Sequence, residues 1–292
     1  MKRRFLAIIT ALIILLLSVH LGFNWYAARV ADRKIAALQT RIAPYVGVQH
    51  GPSDYNLFTN TLRVKDIRIA EKNGTRNLTV DEIVINDFDF QNKVPTYMNI
   101  RINGALIDIT PATFGVSAQF VNQYGYRSLK LNNVLNYRYS GADKALSINE
   151  IGIEDISVAR ISMSMEISNI DLSIMDNFLG FLIMLPQLKV QKVKLQYTDS
   201  ALCDRVMNQI STNTRKNREE IINDFLARLD MLSTKEQTIL GKDIQTELKK
   251  FLIKPGTLTI SVAPAQPLTL ASIRAASAKD LPSLLNLKVL AQ

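Results

Sequence analysis

Few side chains in this chain are of the kind that do covalent chemistry. His50, Ser53 and Asp54 crowd together in HGPSD, and His, Ser and Asp are the members of a nucleophilic triad. A triad works by geometry, with the base touching the nucleophile and the carboxylate touching the base. Neighbours in one short stretch do not supply that, and Gly51-Pro52 reads as a turn. Cys203 stands beside Asp204 and Arg205. A nucleophilic cysteine has to be a thiolate in an electropositive setting, and a lone one is otherwise a small packing residue. The acidic pairs Asp81-Glu82, Glu154-Asp155 and Asp87/Asp89 could act as acid and base at the right separation. They lie in or beside strand-like segments, where polar faces and strand ends account for them.

The phosphate, nucleophile-elbow and zinc-protease motifs are missing. With two histidines, His20 and His50, and one cysteine, no zinc spacing and no internal disulfide can be written. The expectation is therefore a protein that is not an enzyme, with no catalytic residues, no cofactor and no metal. An envelope hydrolase whose site the sequence hides is a third-ranked alternative.

The formal net charge is +9, which raises the question of nucleic acid. Its distribution answers against it. Lys2, Arg3, Arg4, Arg29, Arg33, Lys34 and Arg41 stand in the first 41 residues against Asp32 alone, and the rest of the chain is mixed in sign. A nucleic-acid surface needs clustered cations. The small RKNR group at 215–218 reads better as the solvated start of a helix. With 47% hydrophobic and 21% charged residues, the chain is too apolar to be disordered.

MKRR is followed by the charge-free FLAIITALIILLLSVHLGF, long enough to cross a hydrocarbon core of roughly 30 Å. Lys2, Arg3 and Arg4 favour a cytoplasmic N-terminus, and Trp25 and Tyr26 suit the far interface. A cleaved signal peptide is the competing reading. It needs small residues at −3 and −1, but cleavage after Ala27 or Ala28 would place Trp25 or Tyr26 at −3. The expectation is a signal-anchor over 1–28, an amphipathic stalk helix over 29–44 and a periplasmic β-rich domain over 45–292, held at a bacterial inner membrane by one N-terminal span.

The strongest pattern is a strand that loses its beat. LTVDEIVI (78–85) alternates and then slips by one, so that its apolar residues fall at positions 1, 3, 6 and 8. The pattern recurs in LRVKDIRI (62–69), LSINEIGI (146–153), ISVARISM (156–163), MEISNIDL (165–172) and LKVQKVKL (188–195). A one-residue slip sends the second half of a strand to the opposite face. A β-bulge cancels the slip, bends the strand and keeps all four side chains together. The alternative is two short strands joined by a tight turn, and the intervening pairs lack the Asn-Gly or Asp-Gly of such turns. Bulges are therefore expected at 65–66, 81–82, 149–150, 159–160, 168–169 and 191–192. They would place Leu62, Val64, Ile67, Ile69, Leu78, Val80, Ile83, Ile85, Leu146, Ile148, Ile151 and Ile153 on one apolar face.

The expected fold is mainly β with α: an N-terminal transmembrane helix, then an elongated, curved antiparallel sheet with an apolar concave face. Helices are expected to cover that face in part. One lies over 111–123, and an αα-hairpin lies near 214–252 with a break at 233–237 and apolar stripes such as Ile221, Phe225, Leu229 and Leu232. The apolar run 174–185 fits a buried helix, a membrane-touching helix or a core strand. The tail gives a strand after Pro255-Gly256, a short helix and a last strand at 287–290.

Four stretches carry a resemblance: GYRSL (125–129), YRY (137–139), LQYTDSALCDR (195–205) and FLIKPGTLTISVAPAQP (251–267). Together they resemble envelope proteins of proteobacteria with a membrane anchor, an elongated sheet and a C-terminal Pro-x-x-Pro strand. More distantly, anchor and bent strands resemble the AsmA-like and DUF945-type proteins, whose wider group includes bridge-like lipid-transfer proteins. The resemblance implies an apolar β-groove for lipid or another acyl compound, in envelope lipid or outer-membrane homeostasis. It brings no catalytic residues. The second reading is an assembly factor with a closed core that contacts another envelope protein or further copies of itself.

Overall fold

A computed structural model of the chain describes residues 46–56, 59–71, 77–89, 91–92, 94–174, 178–235, 242–277 and 279–292. The expected anchor, with its flanks Lys2, Arg3, Arg4, Trp25 and Tyr26, and the expected stalk lie outside these residues.

One sheet of twelve strands organises the chain. β1 (Val46–Gln49) and β2 (Ser53–Asn56) both pair with β3 (Thr61–Glu71). An antiparallel meander follows through β4 (Asn77–Phe88), β5 (Tyr97–Asp108), β6 (Ser128–Ser140), β7 (Ala145–Asp155), β8 (Ala159–Ser168) and β9 (Lys189–Asp199). β10 (Thr257–Val262) continues the sheet and β12 (Lys288–Ala291) ends it, while β11 (Leu268–Thr269) pairs with β9.

The slipped strands find their explanation in register. Leu62, Val64, Ile67 and Ile69 face Ile85, Ile83, Val80 and Leu78 in that order. The two slips, Lys65-Asp66 and Asp81-Glu82, therefore lie at the same level, and Asp66 has φ 53°. An extra residue in both partners leaves the pairing unshifted while both chains bend. On one flank Gly51 N donates to Lys65 O at 2.8 Å, where β1 gives way to β2. On the other flank β5 repeats the pattern as IRINGALI (100–107), with Ile83 opposite Ile102. The line of extra residues stops at β6, where the register shifts between Ile102 and Ala105. There the N–H of Gly104, freed from the ladder, donates to Asn132 Oδ1 at 2.9 Å. Gly104 has φ 68°, which suits glycine.

Two more slips are conventional bulges. Asn149-Glu150 interrupts the register toward β6 and toward β8, and the register of β9 shifts beside Gln191-Lys192. The other two expected bulges are corrected. Residues 156–158 form the turn between β7 and β8, and β8 ends at Ser168 before Asn169 turns with φ 62°. Within β8, Ile161, Met163, Met165 and Ile167 alternate strictly, and the two apparent slips are its two ends.

The expected fold class needs a larger correction. No helix among the described residues is long and apolar enough to cross a membrane. The described residues form a mostly antiparallel β-sheet with some helices, and no transmembrane helix is among them. Two short helices, α1 (Pro111–Phe114) and α2 (Ser117–Asn122), replace the single one expected over 111–123. α3 (Phe178–Met184) occupies the apolar run. α4 (Leu202–Thr214) precedes α5 (Arg218–Lys235) and α6 (Lys242–Ile253). Helical structure thus begins before the insertion expected over 214–252. Among the described side chains of α5, Ile221 and Ile222 are buried, whereas Phe225 of the expected stripe is exposed; Leu229 and Leu232 lie outside the described side chains. α7 (Leu270–Ala275) and α8 (Leu281–Leu284) complete the helices described.

Among the described residues, three apolar clusters hold the sheet and its cover together. Leu62, Val64, Ile67, Val80 and Ala105 form a core made by the bent strands themselves, with Val48 and Tyr55 packed on it. Ile109, Ala118 and Tyr126 close one end of the strands beneath α1 and α2. Ile170, Met184 and Leu188 close the other end, where Phe181 and Leu185 meet Tyr139, Leu146 and Ile167.

Candidate functional site

Among the described residues, the two end clusters leave the middle of the apolar face partly in solvent. Cross-strand pairs there run Leu135–Ile151–Met163–Leu195–Ile260 and Asn133–Ile153–Ile161–Tyr197–Leu258. Ile151, Ile153, Ile161 and Leu195 belong to three neighbouring strands, and each leaves between 37% and 46% of its surface in solvent. At the far side, Phe251 of α6 packs edge-on against the Tyr197 ring, centroids 5.7 Å apart. The opening is thus bounded along two of its sides by helix-covered ends and along a third by α6.

The twelve candidate groove residues separate into two groups. Leu62, Val64, Ile67 and Val80 are buried in the self-packed core, with Ile69, Leu78, Ile83 and Ile85 partly buried around it. Leu146 lies under α3 in the end cluster, and Ile148 is half-buried. Only Ile151 and Ile153 stand in the open region. Ile161 and Leu195 join them there. Both occur in repeats visible in the sequence, but reading ISVARISM as one bent strand places a bulge at Ala159-Arg160, where β8 begins in regular pairing just after the turn.

The opposite face of the sheet is polar. It carries the ion pairs Arg160–Glu150 at 2.7 Å, Lys130–Asp81 at 2.7 Å and Arg63–Glu82 at 3.4 Å. A cavity of about 660 Å³ on that side is lined by Arg160, Ser162, Ser164, Lys194, Gln196 and Thr198, among others. Alternation along β8 therefore separates an aliphatic surface from a hydroxyl-rich one.

The chemistry-bearing residues are used structurally. The His50 ring Nδ1 lies 2.7 Å from Gly51 O, and Ser53 and Asp54 are successive residues of β2, so their side chains leave opposite faces. Asp199 Oδ1 accepts from Tyr197 Oη at 2.6 Å and from the Cys203 backbone N–H at 2.9 Å. Burial and the Asp199 carboxylate push the Cys203 thiol up to about 11. That holds it as a thiol at neutral pH, which is not the state of a nucleophile. Asp89 organises the β4–β5 connection, accepting from Asn92 Nδ2 at 2.6 Å and from Thr96 Oγ1 at 2.7 Å. These bonds, with those from the backbone of Thr96 and Gln91, hold its carboxyl well below the usual range. Asp155 caps the β7–β8 turn through Ser157 N at 2.8 Å and Ser157 Oγ at 2.6 Å, and its other oxygen accepts from Lys130 N at 2.7 Å.

A family model described only as "Uncharacterized protein" matches residues 151–292. That span covers β8 to β12, all helices from α3 onward and part of the open face. No curated protein matches the chain.

Proposed function

We propose that this protein is non-enzymatic and binds lipid or another acyl compound on the open part of its apolar sheet face, in the service of bacterial envelope lipid or outer-membrane homeostasis. The observation that carries the reading is the patch Ile151, Ile153, Ile161 and Leu195. Four large aliphatic side chains lie side by side on a regular sheet, partly in solvent, between covered ends. Contiguous apolar surface of this kind marks a binding site in a folded protein. Each methylene of an acyl chain withdrawn from water there contributes about 0.8 kcal/mol. The four patch side chains are aliphatic, which suits a ligand recognised by its chain.

A second reading, an assembly factor with no lipid ligand that contacts envelope proteins or further copies, is favoured by a different observation. Eight of the twelve groove candidates belong to the core of the bent strands. In that reading the patch would be a protein contact.

The separating experiment is lipid mass spectrometry on gently purified protein, for the parent chain and for Ile153→Asp. Acyl lipid in the parent, lost in a variant that still folds, supports the lipid reading. A parent with no acyl lipid favours the assembly factor.

A further inference from the structure

We infer that α3 (Phe178–Met184) docks this end of the sheet onto an anionic lipid bilayer, independently of any acyl chain held on the sheet face. A surface helix buries one apolar stripe and turns a polar face to water. α3 lacks the polar face. Met184 is buried inward with Phe181, against Ile170 and Leu188. On the outer side Leu179, Leu182 and Ile183 leave 69%, 42% and 71% of their surface exposed. From Phe178 to Leu188 the only polar side chain is Gln187. A helix that is apolar all round has a second surface to cover.

The chemistry of the outer side selects the partner. Its described side chains, Leu179, Leu182 and Ile183, are all aliphatic. Protein contact sites concentrate Trp, Tyr and Arg in pockets, with Leu under-represented. A fluid acyl layer accepts a small aliphatic knob without a matching pocket. The surface continues beside α3 into an apolar cavity of about 520 Å³ lined by Leu185, Pro186, Leu270, Ala271, Arg274 and Ala275. The cation Arg274 stands at its rim. A cation placed beside an inserted apolar group is what anionic headgroups attract. The opposite end of the strands also exposes Val116, Phe120 and Ile156. Those three are spread over a turn, a helix and a hairpin tip, and do not form one helix face.

The test uses the full-length chain with Cys203→Ser and one new cysteine carrying an environment-sensitive fluorophore, Ile183→Cys or, on the polar face, Glu166→Cys. Vesicles are phosphatidylcholine with or without phosphatidylglycerol, each also made with brominated acyl chains. Because the readout is local, attachment of the chain through another segment does not imitate it. Insertion to a depth of roughly 5–10 Å brings the label at 183 to the bromines. Its emission should then shift to the blue and fall by about half, more in anionic than in neutral vesicles, while the label at 166 keeps its aqueous emission. Failure of the acyl-binding reading would leave this result unchanged. Aqueous emission at 183 in both vesicle types, or equal quenching at 183 and 166, overturns the inference. So does concentration-dependent burial of the 183 label without vesicles, which would assign α3 to a contact between copies.

Discussion

Replacing Gly104 by alanine probes the line of extra residues that bends the first half of the sheet. Gly104 has φ 68°, and a residue with a Cβ held in that region costs about 1–2 kcal/mol. The new Cβ would also lie 2.1 Å from Asp81 Oδ2 and 2.5 Å from Asp81 Cγ. Asp81 must swing away, which breaks its 2.7 Å ion pair with Lys130. Both partners are well exposed, so that loss is about 0–1 kcal/mol. Together the substitution should destabilise the protein by about 1–3 kcal/mol, lowering Tm by roughly 2–12 °C for a domain of this size. Thermal and urea unfolding followed by circular dichroism measure it. In an Asp81→Ala background the carboxylate contacts are gone and only the Cβ of residue 81, 3.0 Å away, remains close, so the cost should fall toward the backbone part, about 1–2 kcal/mol. A Gly104→Ala protein as stable as the parent would refute the bend mechanism. Strict additivity of the two substitutions would refute the Asp81 contact.

Three further outcomes are expected. Asp89→Asn should destabilise the protein at neutral pH. Because the folded Asp89 carboxyl is held below its ordinary value of 3.8, its contribution is complete above that value and is lost as pH falls through the lowered folded value. Urea midpoints of parent and variant should therefore converge on acidification, and a gap that widens would contradict this. At pH 8, a thiol near 11 should react with iodoacetamide roughly 100-fold more slowly than an unperturbed cysteine, with urea restoring the ordinary rate. Equal rates in folded and unfolded protein would be evidence against the buried Cys203 environment. Ile67, only 4% exposed, should not accept Asp, whereas Ile153→Asp should keep a cooperative melt. Loss of folded structure in both would mean that the face is closed.

How far the sequence reveals this architecture depends on the range of the interaction. The 1-3-6-8 pattern was readable because side-chain alternation is local, and four of the six slips are extra residues or bulges inside strands. Two are not: Ala159-Arg160 pair regularly at the start of β8, and Ser168-Asn169 stand at its end. A hairpin turn such as 156–158 and a bulge both insert residues between alternating halves and look alike in a window of eight. The slip in β5 was hidden by Leu106, an exposed leucine on the polar face, and by Ala105 in place of a larger aliphatic. The matching of slips across β3, β4 and β5 is a property of register, set by pairing between separate segments. Exposure of Ile151 and Ile153, against burial of Ile67 in the same repeat, depends on where the helices settle. No spacing within LSINEIGI encodes that difference. The outer face of α3 could be suspected from its composition, but which side of it meets the sheet only the packing tells.

The central claim is that an acyl chain lies on the open face, and photo-crosslinking locates it most directly. The full-length chain would be incubated with a phospholipid carrying a diazirine on its acyl chain, irradiated, and its modified peptides mapped by mass spectrometry. The account predicts adducts on Ile151, Ile153, Ile161 or Leu195, displaced by excess unlabelled phospholipid, with none on Leu62, Val64 or Ile67. Saturable adducts that avoid all four open-face residues, or no saturable adducts at all, would contradict it.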